Sequence, residues 1–568
     1  VRLDKAVYVD KTEYLPMVRK AGRFVFCARP RRFGKSLTVS ALDAFWSGRA
    51  DLFQGLAAEE VVTSQNFITR PVIRLDMSTP ADSDTNTLLE EKIMGRLGVN
   101  AERHKVSLRG ADSADAFQFL IEDIHKASGK HVVILIDEYD APVISIIQRE
   151  EPEDDRRLLK QTRIVMRRLY GQIKAADEHI ESVFITGVTK FSRMGLFSLL
   201  NNLIDISLEP KFGAFMGYTQ DELEQNFKDF ITETANELRM SDKGILRKIR
   251  DHYDGFSFDG KIRLYNPFSI LSFFHFREFD NFWMESGSNT LIRNFLKEKE
   301  LSADQFQNMA VNRFFVRDPG EIDSTPPEGF LYQAGYLTLR SKGKSKYVLD
   351  YPNREVRLAI STLFLESLTQ NSVWNSISDL GRDLKRPLAT GDVPGMVNVF
   401  TRLLAAVTYD DHAAAGRGHR DGAKGNDIGE SAGTDPPDVR DTEPTDGPPD
   451  NPRATRGESF YRSVLHAAIW MAGAIVAAEK HENVGRTDIE AVYGRFQYVM
   501  ELKMSEDVLG ADDAVRAGML QIREKGYGRS YRNPFLVSLA VGRKERNVVA
   551  CLFKRGESAV EIRLPGKP

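Results

Sequence analysis

Phe24-Val-Phe-Cys-Ala-Arg-Pro-Arg-Arg-Phe-Gly-Lys-Ser-Leu37 is the stretch on which the fold turns. Its apolar start, Phe24 to Phe26, reads as a buried strand, and residues 37–45 read as an amphipathic helix. Between them lies a tight basic loop. Strand, loop and helix in that order seat nucleotide phosphates, because the loop and the first helical turn aim backbone N–H groups at one point. Arg29, Arg32, Phe33, Gly34, Lys35, Ser36 and Leu37 are the candidate nucleotide-binding residues. Lys35 would reach the terminal phosphates and the Ser36 hydroxyl would ligate Mg²⁺. The full motif is G-x-x-x-x-G-K-[ST], and Arg29 stands where its first glycine belongs. A basic surface turn ahead of a helix would read the same way, so a second element has to decide.

That element is His131-Val-Val-Ile-Leu-Ile-Asp-Glu-Tyr-Asp-Ala-Pro142. Its unbroken apolar run, Val132 to Ile136, predicts a central parallel strand covered on both faces. Asp137 and Glu138 then emerge at the C-terminal edge, where open α/β sheets bind ligands. Asp137 would hold Mg²⁺, directly or through water, opposite Ser36, and Glu138 would polarise an attacking water. The expectation is that Lys35 and Asp137 meet at one magnesium–triphosphate across neighbouring strand ends. A further strand, Ser182-Val-Phe-Ile-Thr-Gly-Val-Thr189, leads into Lys190-Phe-Ser-Arg-Met-Gly-Leu-Phe197. Thr186 or Thr189 would sense the γ-phosphate, and Arg193 would act as an arginine finger in cis or in trans. Threonines that simply pack within the strand fit the same pattern.

Outward from these motifs, residues 8–20 predict a short helix capped near Asp10 or Thr12, 71–78 a second buried strand, and 88–128 a helical region. The first domain is placed at 1–215. Residues 216–410 form a mainly helical middle region. It has a capping box at Thr219 and Glu222, a turn at 253–258, and a strand pair near 335–339 and 346–349 that suggests a winged-helix-like module. From 411 to 457 the only large aliphatics are Ile428 and Val439, and aromatics are absent. Such a segment buries too little to offset its ordering entropy, so it reads as a disordered linker. The last domain is placed at 458–568.

With 568 residues, the chain has room for several separate cores. Its formal net charge of -3 excludes a globally basic coat, leaving nucleic-acid contact to local patches. Two distant cysteines, Cys27 and Cys551, make no disulfide framework, and the Cys and His residues lack zinc spacing. With no apolar run of spanning length and no signal peptide, the reading is a bacterial cytoplasmic protein without a membrane partner.

In the last domain an apolar helix starts at Glu458, and two strands, within 485–493 and 495–504, meet at a turn on Gly494. Glu501 and Lys503 are two apart on the second strand and share one face, with Asp488 within reach on the first. Carboxylates and a lysine at one sheet edge suit metal-assisted phosphodiester hydrolysis: Asp488 and Glu501 as Mg²⁺ ligands, Lys503 to orient water or offset charge. These residue types are also common on strand surfaces. A basic run, Arg516, Arg523, Lys525, Arg529 and Arg532 around Tyr527, would track a phosphate backbone or form a solvated helix face.

Several motifs together resemble the AAA-ATPase-like domain family of bacteria: Arg29-Pro-Arg-Arg-Phe-Gly-Lys-Ser-Leu37, Leu135-Ile-Asp-Glu-Tyr-Asp140, Thr186-Gly-Val-Thr-Lys-Phe191, Tyr8-Val-Asp-Lys-Thr12 and Tyr265-Asn-Pro-Phe-Ser269. In that family the loop itself tends to read R-P-R-R-F-G-K-S, so Arg29 belongs to its pattern. The C-terminal part is similar to the PD-(D/E)XK nuclease superfamily through Gly485-Arg-Thr-Asp488, Glu501-Leu-Lys503, Gln521-Ile522 and Gly526-Tyr527. The resemblance makes Glu458, Gln521 and Tyr527 accessory nuclease groups. Thr487-Asp488 replaces the Pro-Asp of the motif without removing a ligand, and the long insertion before Glu458 departs from the usual compact junction.

The resemblance implies an α/β chain: an N-terminal P-loop NTPase with a parallel sheet flanked by helices, the middle region, and a C-terminal α/β restriction-endonuclease-like domain. It implies ATP and Mg²⁺ as cofactors, and an ATP-binding and ATP-hydrolysing protein whose tethered nuclease acts on DNA or RNA under ATP control. The rival is a nucleotide-dependent switch or scaffold whose last domain binds nucleic acid or protein without cleaving. Assembly as a homo-oligomer is compatible with both, and no acceptor site for a metabolic kinase is legible.

Overall fold

The computed structural model describes residues 6–78, 86–147, 152–189, 200, 202–286, 292–293, 295–296, 303–312, 316, 327–342, 346–368, 374–417, 457–477, 487–556 and 558–563. Internal contacts divide the chain into two units: Val1–Glu300 with Gln305–Ile360, and Leu301–Asp304 with Ser361–Pro568. The expected middle region therefore does not stand alone. Its first part joins the N-terminal unit and its last part the C-terminal unit.

The N-terminal unit is built on α1 (Tyr14–Ala21), β1 (Phe24–Ala28), α2 (Lys35–Trp46), β2 (Val72–Asp76), α3 (Asn86–His104), α4 (Ser113–Ser128), β3 (Val132–Asp137), α5 (Pro152–Ala175), β4 (Ile180–Gly187) and β5 (Ile204–Asp205). The strands form one parallel sheet in the order β2-β3-β4-β1-β5. Every residue of β3 is buried, as its unbroken apolar run requires of a strand covered on both faces. The helix α4 shows how local chemistry sets an element. Asp112 caps it by accepting from the N–H groups of Ala114 and Asp115, and Gly129 ends it at φ 65°. Its buried stripe of Ala114, Phe117, Leu120, Ile121 and Ile124 follows the helical period and packs on β3. One expectation changes here: β1 and β3 are not neighbours, because β4 lies between them. The loops after β1 and β3 face each other across the end of one intervening strand.

Beyond β5 come α6 (Gln220–Asn226), α7 (Lys228–Glu237), α8 (Asp242–Tyr253), β6 (Asp254–Phe256), β7 (Leu264–Tyr265) and α9 (Pro267–Phe276). The capping box forms as read: Thr219 Oγ1 accepts from the Glu222 N–H at 3.2 Å, and Glu222 Oε2 accepts from the Thr219 N–H at 2.8 Å. The aromatics of this stretch make its core, with Phe227, Tyr253, Tyr265, Phe273 and Phe274 in one cluster. The expected turn at 253–258 contains β6, whose antiparallel bridge to β7 supplies backbone pairing that the short sequence does not announce. The expected strand pair gains a third member. β8 (Met309–Asn312), β9 (Thr338–Lys342) and β10 (Lys346–Asp350) form an antiparallel sheet in the order β8-β10-β9, followed by α10 (Arg354–Leu368).

The C-terminal unit holds α11 (Trp374–Thr390), α12 (Val393–Arg417), α13 (Glu458–Met471), β11 (Ile475–Ala477), β12 (Ile489–Tyr493), β13 (Phe496–Ser505), α14 (Ala511–Glu524), β14 (Phe535–Gly542), β15 (Asn547–Arg555) and β16 (Ser558–Arg563). Its six strands run β11-β12-β13-β14-β15-β16 in one mixed sheet. Only β13 and β14 pair in parallel, the connection passing through α14. Apolar residues of α11 and α12, Leu384, Leu388, Met396 and Phe400 among them, are buried. Tyr498 on β13 donates its hydroxyl to the Leu388 carbonyl at 2.7 Å, which ties α11 to this sheet. The helix α12 also runs seven residues into the stretch read as linker, through the helix-favouring Ala413-Ala-Ala415. Residues 418–456 of that stretch lie outside the described residues.

Candidate functional site

The loop after β1 turns through two left-handed residues, Arg32 at φ 62° and Gly34 at φ 91°, before α2 begins at Lys35. Its shape is held from behind by aromatics. The Phe33 ring stands edge-on to Phe256 at 4.9 Å and Phe258 at 5.5 Å, and the Arg32 guanidinium covers Phe268 at 3.7 Å. Pro30 rests on Gly335, where a Cβ would come 2.6 Å from the proline's own Cβ, and φ there is 85°.

Lys35 is 4% exposed; its Nζ donates to the Pro30 carbonyl at 3.2 Å and lies 3.8 Å from Glu138 Oε1. The Ser36 hydroxyl sits beside the Asp137 carboxylate and favours its charged form. Asp137 is buried, and that desolvation is the main reason its carboxyl is raised above the ordinary range. Ser36 and Lys35 act against the rise, and Glu138 and Asp76 add to it. Its Oδ1 is buried without a hydrogen-bond partner. Glu138 takes a left-handed backbone at φ 53°, a cost that a side chain with a β-carbon bears where surrounding structure enforces it. The four residues Lys35, Ser36, Asp137 and Glu138 thus meet at one sheet edge. An orphaned buried carboxylate oxygen beside a serine hydroxyl fits Mg²⁺, which takes few protein ligands and fills the rest with water and phosphate. Among the described residues no group of three or more His, Cys, Asp or Glu is arranged to hold a metal alone.

Other candidates fall elsewhere. Arg29 is 1% exposed and donates to the carbonyls of Ala28, Ser207 and Phe212, with its guanidinium 4.0 Å from the Phe258 ring centre. It braces the sheet edge rather than facing the loop's open side. The Thr186 hydroxyl is buried and donates to the Cys27 carbonyl at 2.7 Å, a contact between strands. Arg193 lies outside the described residues. Leu37 is 44% exposed and, with Gly34, Tyr8, Thr38, Tyr218 and Phe276, lines a largely apolar cavity of 930 Å³ beside the loop.

Asp140 was missed by motif reading, although it ends the Asp-Glu-Tyr-Asp run. It is fully buried and accepts from the Val188 N–H, the Thr189 N–H at 2.7 Å and the Thr189 hydroxyl at 2.6 Å. Tyr139 donates its hydroxyl to the Thr189 carbonyl at 2.8 Å. Together these pin the end of β4 to the end of β3. Gly187 makes the approach feasible, since a Cβ there would lie 2.3 Å from Asp140 Oδ1.

In the C-terminal unit the β12–β13 hairpin turns at Gly494, φ 57°, and pairs Ile489 with Met500. That register sets Asp488 beside Glu501, and Asp488 Oδ2 accepts from the Leu502 N–H at 2.8 Å. Glu501 is 2% exposed; Oε1 accepts from Lys503 Nζ at 3.0 Å, while Oε2 is buried without a partner. Burial first, then the charge of Asp488, pushes the Glu501 carboxyl up to about 7. Lys503 Nζ also lies 4.0 Å from Glu458 Oε1. The Tyr527 phenol is raised mainly by burial, with Glu501 and Asp488 adding to it and the neighbouring Gln521 acting against it. Gly518 lets α14 close on the sheet here: a Cβ would meet Ser538 Oγ at 2.3 Å. All six candidates of this domain therefore gather around one point. Two adjacent carboxylates with an unsatisfied buried oxygen between them fit a divalent cation. Sequence reading missed Arg462, whose Nη1 is 3.7 Å from Asp488 Oδ1; its signal is the four-residue spacing from Glu458 on α13. Arg516, Arg523, Lys525, Arg529 and Arg532 are all exposed.

No helix among the described residues is long and apolar enough to cross a membrane. Residues 1–197 match the family described as "Predicted AAA-ATPase", and residues 456–550 match the "PD-(D/E)XK nuclease superfamily". The chain is 30% identical over 556 residues to the "Uncharacterized protein in vnfD 5'region" of Azotobacter chroococcum mcd 1, covering 96% of this chain and 95% of that protein. No solved structure matches. The strand order, the paired carboxylate sites and these likenesses agree: the chain belongs to the family that joins a predicted AAA-ATPase domain to a C-terminal domain of the PD-(D/E)XK nuclease superfamily.

Proposed function

We propose that this protein binds and hydrolyses ATP at the β1–β3 edge, and that its C-terminal unit is a Mg²⁺-dependent nuclease acting on DNA or RNA. The observation that carries the first half is the buried, unpartnered Oδ1 of Asp137 beside Ser36, with Lys35 Nζ 3.8 Å from Glu138 Oε1. With ATP present, Lys35 leaves Glu138 for the terminal phosphates, Ser36 and Asp137 hold Mg²⁺, and Glu138 is freed to orient a water. The cavity between α2 and the 218–276 helices receives the nucleoside, whose base stacks on its aromatic wall. At the nuclease, Asp488 and Glu501 hold the cation, which supplies a nucleophilic water and neutralises charge on the phosphate. Lys503, anchored by Glu458, positions that water, and the exposed arginines and lysine near Tyr527 track the strand.

Two variants test the first half. Lys35→Ala should lose ATP binding, whereas Glu138→Gln should bind ATP and turn it over roughly a hundredfold more slowly, the lower end of what a positioned general base contributes. Unchanged turnover in both overturns the site. Asp488→Ala, Glu501→Ala and Lys503→Ala should each abolish Mg²⁺-dependent cleavage with ATP binding intact. Wild-type protein that binds oligonucleotides but cuts no DNA or RNA would replace the nuclease by a binding scaffold.

A further inference from the structure

The nuclease-like centre carries a cation that its motif does not account for. Arg462 stands four residues after Glu458 on α13, so both side chains leave the helix on one side. The Arg462 side chain is 22% exposed and lies 3.7 Å from Asp488, itself 10% exposed. Across the centre, Lys503 pairs with Glu501 at 3.0 Å and Glu458 at 4.0 Å. The result is a ring of charged groups, Glu458, Lys503, Glu501, Asp488 and Arg462, in which the like charges Glu501 and Asp488 stand side by side between the two cations. Three carboxylates and two cations leave one formal negative charge when all are ionised. A divalent cation alone would make the ring positive, and a phosphodiester alone would make it more negative. Both together bring it to zero.

Both cations also act on Glu458, but they stand differently toward the metal. Lys503 keeps Glu458 when Glu501 is taken by a metal. Arg462 is paired to Asp488, the very carboxylate the metal needs, so the guanidinium and the metal compete for it directly. A guanidinium displaced by about its own hydrogen-bond length has a planar fork suited to phosphate oxygens. We infer that Arg462 is an exchangeable counter-ion: it neutralises Asp488 in the metal-free centre and passes to a phosphate of the nucleic acid when a divalent cation binds. This rests on the nuclease reading above. Its consequence is thermodynamic. Metal and phosphate strengthen each other's binding through Arg462, and that coupling is reciprocal. The centre then loads the metal more readily once a strand is bound, without a moving lid.

The test is calorimetric titration of the full chain with Ca²⁺, which uses oxygen ligands without requiring turnover, alone and with a mixed-sequence oligonucleotide as DNA and as RNA. Glu501→Gln identifies the part of the isotherm belonging to this centre. In the wild type either oligonucleotide should raise Ca²⁺ affinity there at least fivefold, the lower range of such couplings. Arg462→Ala should bind Ca²⁺ alone roughly fivefold more tightly, the size of one partly exposed ion pair, and should gain less from the oligonucleotide. Arg462→Lys keeps the charge but not the fork. It should bind Ca²⁺ alone like the wild type and respond to the oligonucleotide in between. Arg462→Ala titrating like the wild type in both conditions overturns the Arg462 assignment alone. A Ca²⁺ isotherm insensitive to Glu501→Gln overturns the nuclease reading instead.

Discussion

Arg29 offers the sharpest test, because its motif position and its surroundings assign it different jobs. In the loop pattern it sits where a phosphate contact belongs. In the fold it is 1% exposed and donates to the buried carbonyls of Ser207 at 2.8 Å and Phe212 at 3.0 Å while covering Phe258. Arg29→Met keeps most of the side-chain length and removes every donor. Each buried carbonyl left without its charged donor costs about 1–2 kcal/mol, and the lost cation–π contact costs about 1 kcal/mol more. The unit should lose about 3–5 kcal/mol in all. For a unit of this size that lowers the melting temperature by roughly 5 °C. Calorimetric melts of the full chain give the stability, and ATP titration well below the transition gives the affinity. The expected pair of results is a lowered melting transition of the N-terminal unit with ATP affinity within about twofold of wild type. Lys35→Ala should do the reverse, sparing the melt and losing ATP. An Arg29→Met protein that melts like the wild type but no longer binds ATP would refute the brace and put this guanidinium on the phosphates.

Gly187→Ala forces a Cβ to 2.3 Å from Asp140 Oδ1 and 2.6 Å from the Tyr139 ring. It should destabilise the N-terminal unit by at least about 2 kcal/mol, read as a lower denaturant midpoint. Glu355 gives a pH signature. Its Oε1 accepts from the Trp283 N–H at 2.9 Å and its Oε2 from the Ser269 hydroxyl at 3.0 Å, and burial pushes its carboxyl up from 4.5 to about 8. The folded state therefore binds a proton that the unfolded state has released. The associated stability is complete below pH 4.5, declines above it, and is gone past about pH 8. Glu355→Gln mimics the protonated form and keeps both contacts by reversing the Ser269 bond, so melts between pH 5 and 8 should flatten relative to wild type. Asp140→Ala removes the fully buried acceptor of both the Val188 and Thr189 N–H groups. It should lower ATP turnover more than ATP affinity, measured as kcat against KM, because it frees the end of β4 while the Pro30 carbonyl still holds Lys35.

Legibility in the sequence followed from how local each feature is. The β3 run was readable because a strand covered on both faces needs nothing but apolar residues, and the acidic pair after it marks the strand's end. Side-chain direction was less so. Arg29 turns inward because carbonyls from residues 207 and 212 wait for it, and no local pattern reports partners so far along the chain. The insertion of β4 between β1 and β3 is invisible for the same reason: parallel strands reveal their faces in sequence but not their neighbours. In the C-terminal unit the alternation of Glu501 and Lys503 was enough to place both, whereas Arg462 needed the helix period carried on from Glu458. Position along the chain alone places α11 and α12 in a middle region. Their apolar sides belong to the C-terminal sheet, a pairing that amphipathicity announces without naming the partner.

The seat of Pro30 on Gly335 has one last consequence. A glycine far downstream forms the rear wall of the loop that would cradle the phosphates, with Trp283 also within 2.9 Å of any side chain added there. The proline has no slack behind it, so the loop yields only toward the open side. Substitutions at Gly335 should therefore masquerade as nucleotide-binding defects, and genetic suppressors of them are to be sought at Pro30 rather than at the lysine and serine that follow.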